Sequence, residues 1–190
     1  MTEAGISSER STMQGSDTVP PFKYARGHLC MPVVCITSAF EGKRNIMTSA
    51  WCSPSSFYPP IVSSFIGVTR FTHDLVMKSR EFVLNILASD QTDLAVYCGN
   101  HTGREVDKFK AMGVEVTKGQ IVAPPLIVGC AAHIECKVLS YHLAGDHTLF
   151  VGETVAYDED PDKKPLIRFR GNFFTISEQS LGCDEHPATI

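Results

Sequence analysis

The sequence lacks the features that mark several common functional classes. It has no glycine-rich nucleotide motif of the G-x-G-x-x-G or G-x-x-x-x-G-K-[ST] type, so a Rossmann or P-loop site is not expected. Pro, Gly or a charged residue interrupts every apolar run before it reaches the roughly 20 residues that cross a bilayer. The formal net charge is -4, which offers no broad basic field to a nucleic-acid backbone. We therefore expect a soluble protein with neither a membrane nor a nucleic acid as its partner.

Metal-ligand spacings are missing as well. None of the seven cysteines belongs to a C-x-x-C pair, and Cys130 and Cys136 lack the second pair that a zinc tetrahedron needs. The histidines include no H-x-x-x-H on one helical face, so no metal site is expected. An odd number of cysteines cannot be fully paired within one chain, and the sequence starts without an apolar signal segment. Both features predict a reducing compartment and hence a cytoplasmic location.

The composition predicts one folded domain. The 190 residues are 43% hydrophobic and 20% charged, which suffices for one core and not for two ordinary domains. Residues 1–19 are rich in Ser, Thr, Glu, Gly and Asp and poor in periodic apolar residues, which predicts a flexible N-terminal arm. We expect the domain to occupy residues 20–180 and a C-terminal tail to occupy residues 181–190.

Short strands dominate the predicted secondary structure. Apolar and β-branched runs between turn signals predict strands at 33–37, 46–53, 61–69, 81–87, 134–138, 147–157 and 172–177. Short helices are predicted at 73–80 after an N-cap at Thr72, at 90–98 after an N-cap at Ser89, and at 104–112 before Gly113. Many short strands with few helices predict a mainly β fold, a barrel with helical covers rather than a parallel sheet.

The strand predicted at 46–53 is unusually polar. Small hydroxyl and amide residues occupy Asn45-Ile46-Met47-Thr48-Ser49-Ala50-Trp51-Cys52-Ser53, together with the only Trp of the chain. The following strand leads into Arg70-Phe71-Thr72-His73, where the start of a helix favours an anion. The pattern suits a flat aromatic ring with a polar edge and a phosphate tail. An amphipathic strand with a polar outer face, followed by a surface Arg and a helix-capping Thr, is the alternative.

This order of segments resembles the flavoredoxin branch of the flavin reductase family, whose members hold FMN in a split β-barrel. Two further segments resemble the same family. The segment Gly145-Asp146-His147-Thr148-Leu149-Phe150-Val151-Gly152-Glu153 matches G-D-H-x-x-F-x-G-E, and the stretch from Cys98 to Phe109 matches C-G-x-x-[ST]-G-R-x-x-D-K-F. The resemblance covers about residues 32–177. It implies a Greek-key-like, FMN-binding split β-barrel that forms a homodimer, because family members complete each flavin site at a subunit interface.

The resemblance also implies the residues of the flavin site. The polar strand would hold the ring edge, and Arg70 and Thr72 would hold the phosphate, with His73 beside them. Arg104 and Lys108, one helical turn apart, could meet a phosphate or a second subunit, or could form an ordinary solvated helix face. Cys52 is interpreted as packing beside the ring and not as a nucleophile. The expected cofactor-binding residues are Asn45, Met47, Thr48, Ser49, Ala50, Trp51, Cys52, Ser64, Phe65, Arg70, Thr72, His73, Arg104 and Lys108.

His147 is the candidate catalytic residue. In the family this histidine lies near the flavin and the nicotinamide site. A histidine there can donate a hydrogen bond to the anion that develops on reduced flavin, and it can shape where the hydride donor rests. The alternative is a turn residue whose ring bonds to Asp146.

The activity implied by the resemblance is hydride transfer from NADH or NADPH to flavin, after which reduced flavin passes electrons onward. Two other functions stay open at this point. The chain could be an FMN electron carrier between redox proteins, with little NAD(P)H activity of its own, or a flavin-binding module without turnover. A redox protein is a candidate partner for the onward transfer.

Overall fold

Twelve strands and three α-helices make up residues 26–177, the part of the chain that the computed structural model describes. The predicted arm and tail lie outside the described residues. The strands are β1 (Met31–Pro32), β2 (Val34–Phe40), β3 (Lys43–Ser49), β4 (Cys52–Ser56), β5 (Ile61–Gly67), β6 (Glu81–Ile86), β7 (Val116–Thr117), β8 (Leu126–Ile127), β9 (Ala132–Ala144), β10 (His147–Glu159), β11 (Leu166–Phe169) and β12 (Asn172–Thr175). The helices are α1 (Phe71–Ser79), α2 (Thr92–Asn100) and α3 (Lys108–Ala111), and a 3-10 turn covers Arg26–His28.

Seven of the strands form one antiparallel sheet in the order β3-β2-β6-β9-β10-β5-β4. Its two end strands, β3 and β4, are joined by only Ala50 and Trp51. Three peptide steps reach at most about 11 Å, whereas six strand spacings in a flat sheet would separate the ends by about 28 Å. The sheet must therefore curl into a barrel that is split between β3 and β4.

Two layers of buried side chains stabilise this barrel. Alternate residues of the strands point to opposite faces, so neighbouring residues of β2 join different clusters. The inner cluster is built from several strands and from α1, and includes Val34, Ile36, Ile66, Val76, Phe82 and Phe150. The outer cluster packs α2 and α3 against the other face of β2 and β3, and includes Cys35, Ile46, Ala95, Cys98 and Phe109. Helices α2 and α3 therefore cover the polar strand on the face opposite to the inner cluster.

Two small sheets complete the fold. Strand β11 pairs with both β1 and β12, and β7 pairs with β8. The β11–β12 hairpin is tied to the barrel by backbone hydrogen bonds from Val33 N to Leu166 O and from Leu166 N to Leu87 O, each 2.8 Å. The closing strand predicted at 172–177 is thus one arm of a hairpin, and its partner β11 was not predicted.

The strand predicted at 46–53 is wrong as a single element. It divides at Ala50 and Trp51 into β3, which pairs with β2, and β4, which pairs with β5. A run of small polar residues contains no signal for such a break. The last two long strands are predicted correctly in position, although β9 extends to Ala144, beyond the predicted end at residue 138. The mainly β architecture with short helices is confirmed.

The predicted helix starts need correction. Helix α1 begins at Phe71 with Arg70 as its N-cap, and Thr72 is instead buried inside the first turn. Helix α2 begins at Thr92 after Gln91, and not after Ser89. The third helix does not start at Arg104: it covers only Lys108–Ala111, because Asp107 caps it by accepting hydrogen bonds from two backbone amides. No helix in the described range is long and apolar enough to span a bilayer.

Candidate active site

A cleft of about 840 Å³ opens beside the split of the barrel. Eight of the residues expected at the flavin site line it, namely Met47 to Trp51, Phe65, Arg70 and His147. They come from β3, from the crossing between β3 and β4, from β5, from the N-cap of α1 and from the start of β10. The sequence segments that carry the family resemblance therefore converge on one cavity.

The wall formed by β3 offers backbone groups to the cleft. This strand is at an end of the seven-stranded sheet, so alternate amides on its outer edge have no strand partner within residues 26–177. The hydroxyl of Thr48 donates to the Ala95 carbonyl at 2.7 Å, so its proton is already used within the protein. Ser49 and Ala50 are small and half-buried. The polar strand thus presents mainly its backbone and small side chains to the cleft.

Trp51 and His147 form an aromatic wall. Their ring centroids are 4.7 Å apart at an angle of 38°, and Phe65 meets Trp51 edge-on at 6.5 Å. Nδ1 of His147 lies 2.6 Å from Asp146 Oδ1, so Nδ1 carries a proton and Nε2 is the free ring nitrogen. This hydrogen bond holds the pKa of Asp146 below its usual value. The contact with Asp146 does not exclude a site role, because His147 lines the cleft as well.

Arg70 stands where the main cleft meets a smaller one of about 250 Å³. Its Cγ would lie 3.5 Å from a Cβ built on Gly67, so the arginine packs closely against the end of β5. Arg70 makes no ion pair with any described carboxylate. An arginine without an acidic partner at the N-terminus of a helix is suited to a phosphate.

The smaller cleft brings Asn45, Arg104 and Lys108 together with Arg70. Arg104 donates to Asp74 Oδ2 at 2.7 Å and is 47% exposed. Lys108 is only 3% exposed, and its ammonium donates to two backbone carbonyls at 2.8 Å. The alternative of an ordinary solvated helix face is therefore wrong for Lys108, which is buried. Its ammonium is directed at protein carbonyls, and a ligand role for it stays a prediction.

Four of the expected site residues line neither cleft. Ser64 lies on the face of β5 opposite to Phe65, and its buried hydroxyl oxygen has no hydrogen-bond partner among the described residues. The hydroxyl of Thr72 accepts a hydrogen bond of 2.8 Å from Asn45 Nδ2. His73 Nε2 lies 2.9 Å from Thr148 Oγ1, and burial lowers the pKa of His73 while Asp74 opposes that shift. The fourth is Cys52, which packs against the inner core, and burial raises the pKa of its thiol to about 11.

Sequence reasoning missed the wall of the cleft built near the two ends of the described range. This wall includes Gly27, His28, Arg168, Arg170 and Phe173. The only available signal was the turn dipeptide Gly171-Asn172 between two apolar runs, with basic residues immediately before it. Within residues 26–177 no group of three or more His, Cys, Asp or Glu side chains could hold a metal ion.

Comparison with known proteins assigns the chain that forms this cleft to a family. The model of the flavin reductase like domain matches residues 26–177. A relative named NADH-dependent FAD reductase, from Streptomyces globisporus, is 28% identical over 128 residues, which are 67% of this chain and 69% of the relative. The crystal structure of an FMN-binding protein from Thermus thermophilus is 27% identical, with a TM-score of 0.77 over 92% of this chain and all of the other.

Flavoredoxin from Methanosarcina acetivorans has a TM-score of 0.75 over 95% of this chain and 98% of its own, at 21% identity. At this identity the likeness shows the fold, and it confirms the predicted split barrel. The family match likewise confirms the resemblance found in the sequence. The chain belongs to the flavin reductase-like family.

Proposed function

We propose that the cleft binds FMN and that the protein transfers hydride from NADH or NADPH to this flavin and passes the electrons onward. The observation that carries the proposal is the cleft itself, where the backbone edge of β3, the Trp51–His147 wall and Arg70, which has no acidic partner among the described residues, meet. Membership of the flavin reductase-like family already makes this chain a flavin oxidoreductase. What we add is the identity of the bound flavin and of the hydride donor. The two relatives named above differ in their flavin: one is named an FAD reductase, and the other is named an FMN-binding protein.

The described residues fit a flavin mononucleotide. The polar edge of the isoalloxazine ring carries acceptors that the free amides of β3 can satisfy. The small side chains of Ser49 and Ala50 allow a flat ring to approach that backbone closely. Arg70 offers the fork of donors that binds two phosphate oxygens at once. FMN, when bound, supplies the ring atom that receives the hydride.

We propose that His147 acts on the flavin from the side of the cleft that Trp51 forms. Its Nδ1–H is held by Asp146, which fixes the ring orientation and leaves Nε2 near the end of β5, 3.6 Å from a Cβ built on Gly67. Nε2 can also carry a proton. The ring can then donate from Nε2 to negative charge in the cleft.

A homodimer is proposed for a structural reason as well. Three apolar side chains near the end of β9 are unusually open, with exposures of 52% for Leu139, 40% for Tyr141 and 74% for Leu143. Contiguous exposed apolar residues on a long strand are typical of an interface between subunits. If this surface is that interface, Leu143→Asp should lower the molar mass measured by light scattering from that of a dimer to that of a monomer. A wild-type protein that is monomeric would contradict the proposal.

Flavin binding can be followed by the fluorescence of the single Trp, since Trp51 lines the cleft. FMN should quench this fluorescence, and Arg70→Ala should raise the Kd for FMN by about 10- to 100-fold, the loss expected for a hydrogen bond to a charged group. Riboflavin has no phosphate, so its Kd should be nearly the same in both proteins. Equal losses for FMN and riboflavin would exclude Arg70 as the phosphate ligand.

Turnover separates the reductase from the carrier. A reductase oxidises NADH or NADPH at a rate that rises when FMN is added. A carrier is purified with yellow flavin, oxidises neither nucleotide appreciably, and is reduced by a protein donor. The cytoplasmic location expected from the sequence stays a prediction.

A further inference from the structure

Two arginines on the β11–β12 hairpin line the cleft. Arg168 lies at the end of β11, and Arg170 lies in the turn that follows. Each guanidinium rests near an aromatic ring of the same hairpin, Arg168 at 5.8 Å from Phe173 and Arg170 at 5.3 Å from Phe169. Neither arginine forms an ion pair with a carboxylate of the described residues. Their positive charges are therefore not neutralised within the described part of the chain.

The hairpin that carries them is held in place on two sides. Arg170 N donates to the Gly27 carbonyl at 2.7 Å, and Arg168 pairs with Met31 across the β1–β11 ladder. Backbone hydrogen bonds from Leu166 tie the hairpin to the barrel. The two guanidinium groups are thus presented by a supported wall, which is what a binding site requires.

The charge of the cleft differs from that of the whole protein. The chain has a formal net charge of -4, yet the described residues that line the main cleft include Arg70, Arg168 and Arg170 and no Asp or Glu. A concave surface lined by one sign of charge attracts ligands of the opposite sign. The volume of about 840 Å³ lies in the upper part of the range of about 300–1,000 Å³ for ligand pockets. The cleft therefore has room, and positive charge, for more than one phosphate group.

We propose that Arg168 and Arg170 form a second anion-binding site, separate from the one at Arg70, which takes the pyrophosphate of a dinucleotide. This inference rests on the proposed function, in which the cleft holds flavin next to its hydride donor. Two ligands could supply the same chemistry: the reduced nicotinamide dinucleotide, or FAD in place of FMN. Arginine suits either, because its planar fork matches two phosphate oxygens and it stacks on aromatic rings.

The test compares two double variants that lose the same charge. Arg168→Gln/Arg170→Gln removes the proposed site, and Lys43→Gln/Lys110→Gln removes two exposed lysines outside both clefts. The measurements are the Kd for FMN and for FAD from Trp51 fluorescence, the inhibition constant of ADP-ribose, and the KM for NADH and NADPH. The arginine variant should keep its Kd for FMN within about twofold of the wild-type value and weaken a pyrophosphate ligand by about tenfold or more. The lysine variant should change none of these constants by more than about twofold.

The pattern of losses identifies the ligand. Weaker ADP-ribose inhibition with a higher KM assigns the site to the nicotinamide donor, and a higher Kd for FAD alone assigns it to FAD. Arg168→Lys/Arg170→Lys should recover part of the loss, because it keeps the charge without the fork. The inference is overturned if no pyrophosphate ligand is weakened, if FMN is weakened as much as the dinucleotides, or if the lysine variant gives the same losses. A wild-type protein that binds no flavin would instead overturn the proposed function.

Discussion

Lys108 connects β3 to α2 from inside the protein. Its ammonium donates to the carbonyls of Ile46 and Cys98, both at 2.8 Å, and its side chain is almost completely buried. Cys98 lies in the last turn of α2, where backbone carbonyls have no partner within the helix. Lys108 therefore caps the helix that packs against the polar strand. Burial lowers the pKa of Lys108, and Cys98 and Cys35 oppose that shift.

Replacing this ammonium should destabilise the protein. Lys108→Met leaves two buried carbonyl acceptors without this donor, at about 1–3 kcal/mol each. The substitution also relieves part of the cost of burying a charge, and Met fills a similar volume, so we expect a net loss of about 3 kcal/mol in the free energy of unfolding. For a chain of this size such a loss lowers the melting temperature by about 6–12 °C.

Chemical unfolding followed by circular dichroism measures this loss, and Lys110→Met is the matched control. Lys110 lies on the same short helix but is exposed, so its replacement should change the free energy of unfolding by no more than about 0.5 kcal/mol. Equal changes in the two variants would refute the capping role of Lys108. If the Lys108→Met variant folds, its affinity for FMN should fall less than that of the Arg70→Ala variant, because the Lys108 ammonium faces protein carbonyls.

Three further substitutions test close contacts and pH dependence. A Cβ on Gly103 would lie 2.0 Å from Asn45 Oδ1, so Gly103→Ala should lower the free energy of unfolding by about 1–3 kcal/mol, and an unchanged melting temperature would contradict that contact. A Cβ on Gly152 would lie 2.7 Å from Phe82 Cζ, and Gly152→Ala should destabilise the barrel by a similar amount in the same thermal assay. Because burial lowers the pKa of His73, the unfolded chain binds more protons below about pH 6.5, and stability should fall as the pH drops through that window. His73→Gln should show a smaller fall in the urea midpoint between about pH 7.5 and about pH 5.5 than the wild type, and an equal fall would exclude His73 as the cause.

Much of the fold could be predicted because its signals are local. The turn residues Gly42 and Gly145 have positive φ angles of 76° and 64°, and each separates two strands that the sequence indicates. The strand β11 and the pairing of β1 with it could not be predicted, because these short segments are defined by contacts between distant parts of the chain. The starts of α1 and α2 were misplaced because neither helix has a side-chain cap: Arg70 and Gln91 occupy the N-cap positions without a side-chain hydrogen bond to the first turn.

The candidate site, like the fold, could be predicted in part from the sequence. Residues of the polar strand, together with Phe65, Arg70 and His147, line the cleft as expected. Ser64 does not, because strand alternation places it on the face opposite to Phe65. Arg168 and Arg170 could not be predicted as lining residues, because only the folded hairpin brings them to the cleft. Apart from His147, the other walls of the cleft come from residues that lie about 70 or more positions earlier in the chain.

The break at Ala50 and Trp51 explains why the polar strand is polar. A strand inside a closed barrel would have both edges paired and no need of small hydroxyl residues. Here β3 ends at Ser49, the chain crosses to the far end of the sheet, and Trp51 O accepts from Phe65 N at 2.9 Å to begin the new pairing. The crossing leaves the outer edge of β3 without a partner among the described strands and places Trp51 against His147 at the same opening. The split in the barrel and the ligand cleft are therefore one structural feature. Lengthening the crossing by two glycines should widen the cleft and weaken the binding of both riboflavin and FMN. Arg70→Ala, in contrast, should weaken the binding of FMN alone.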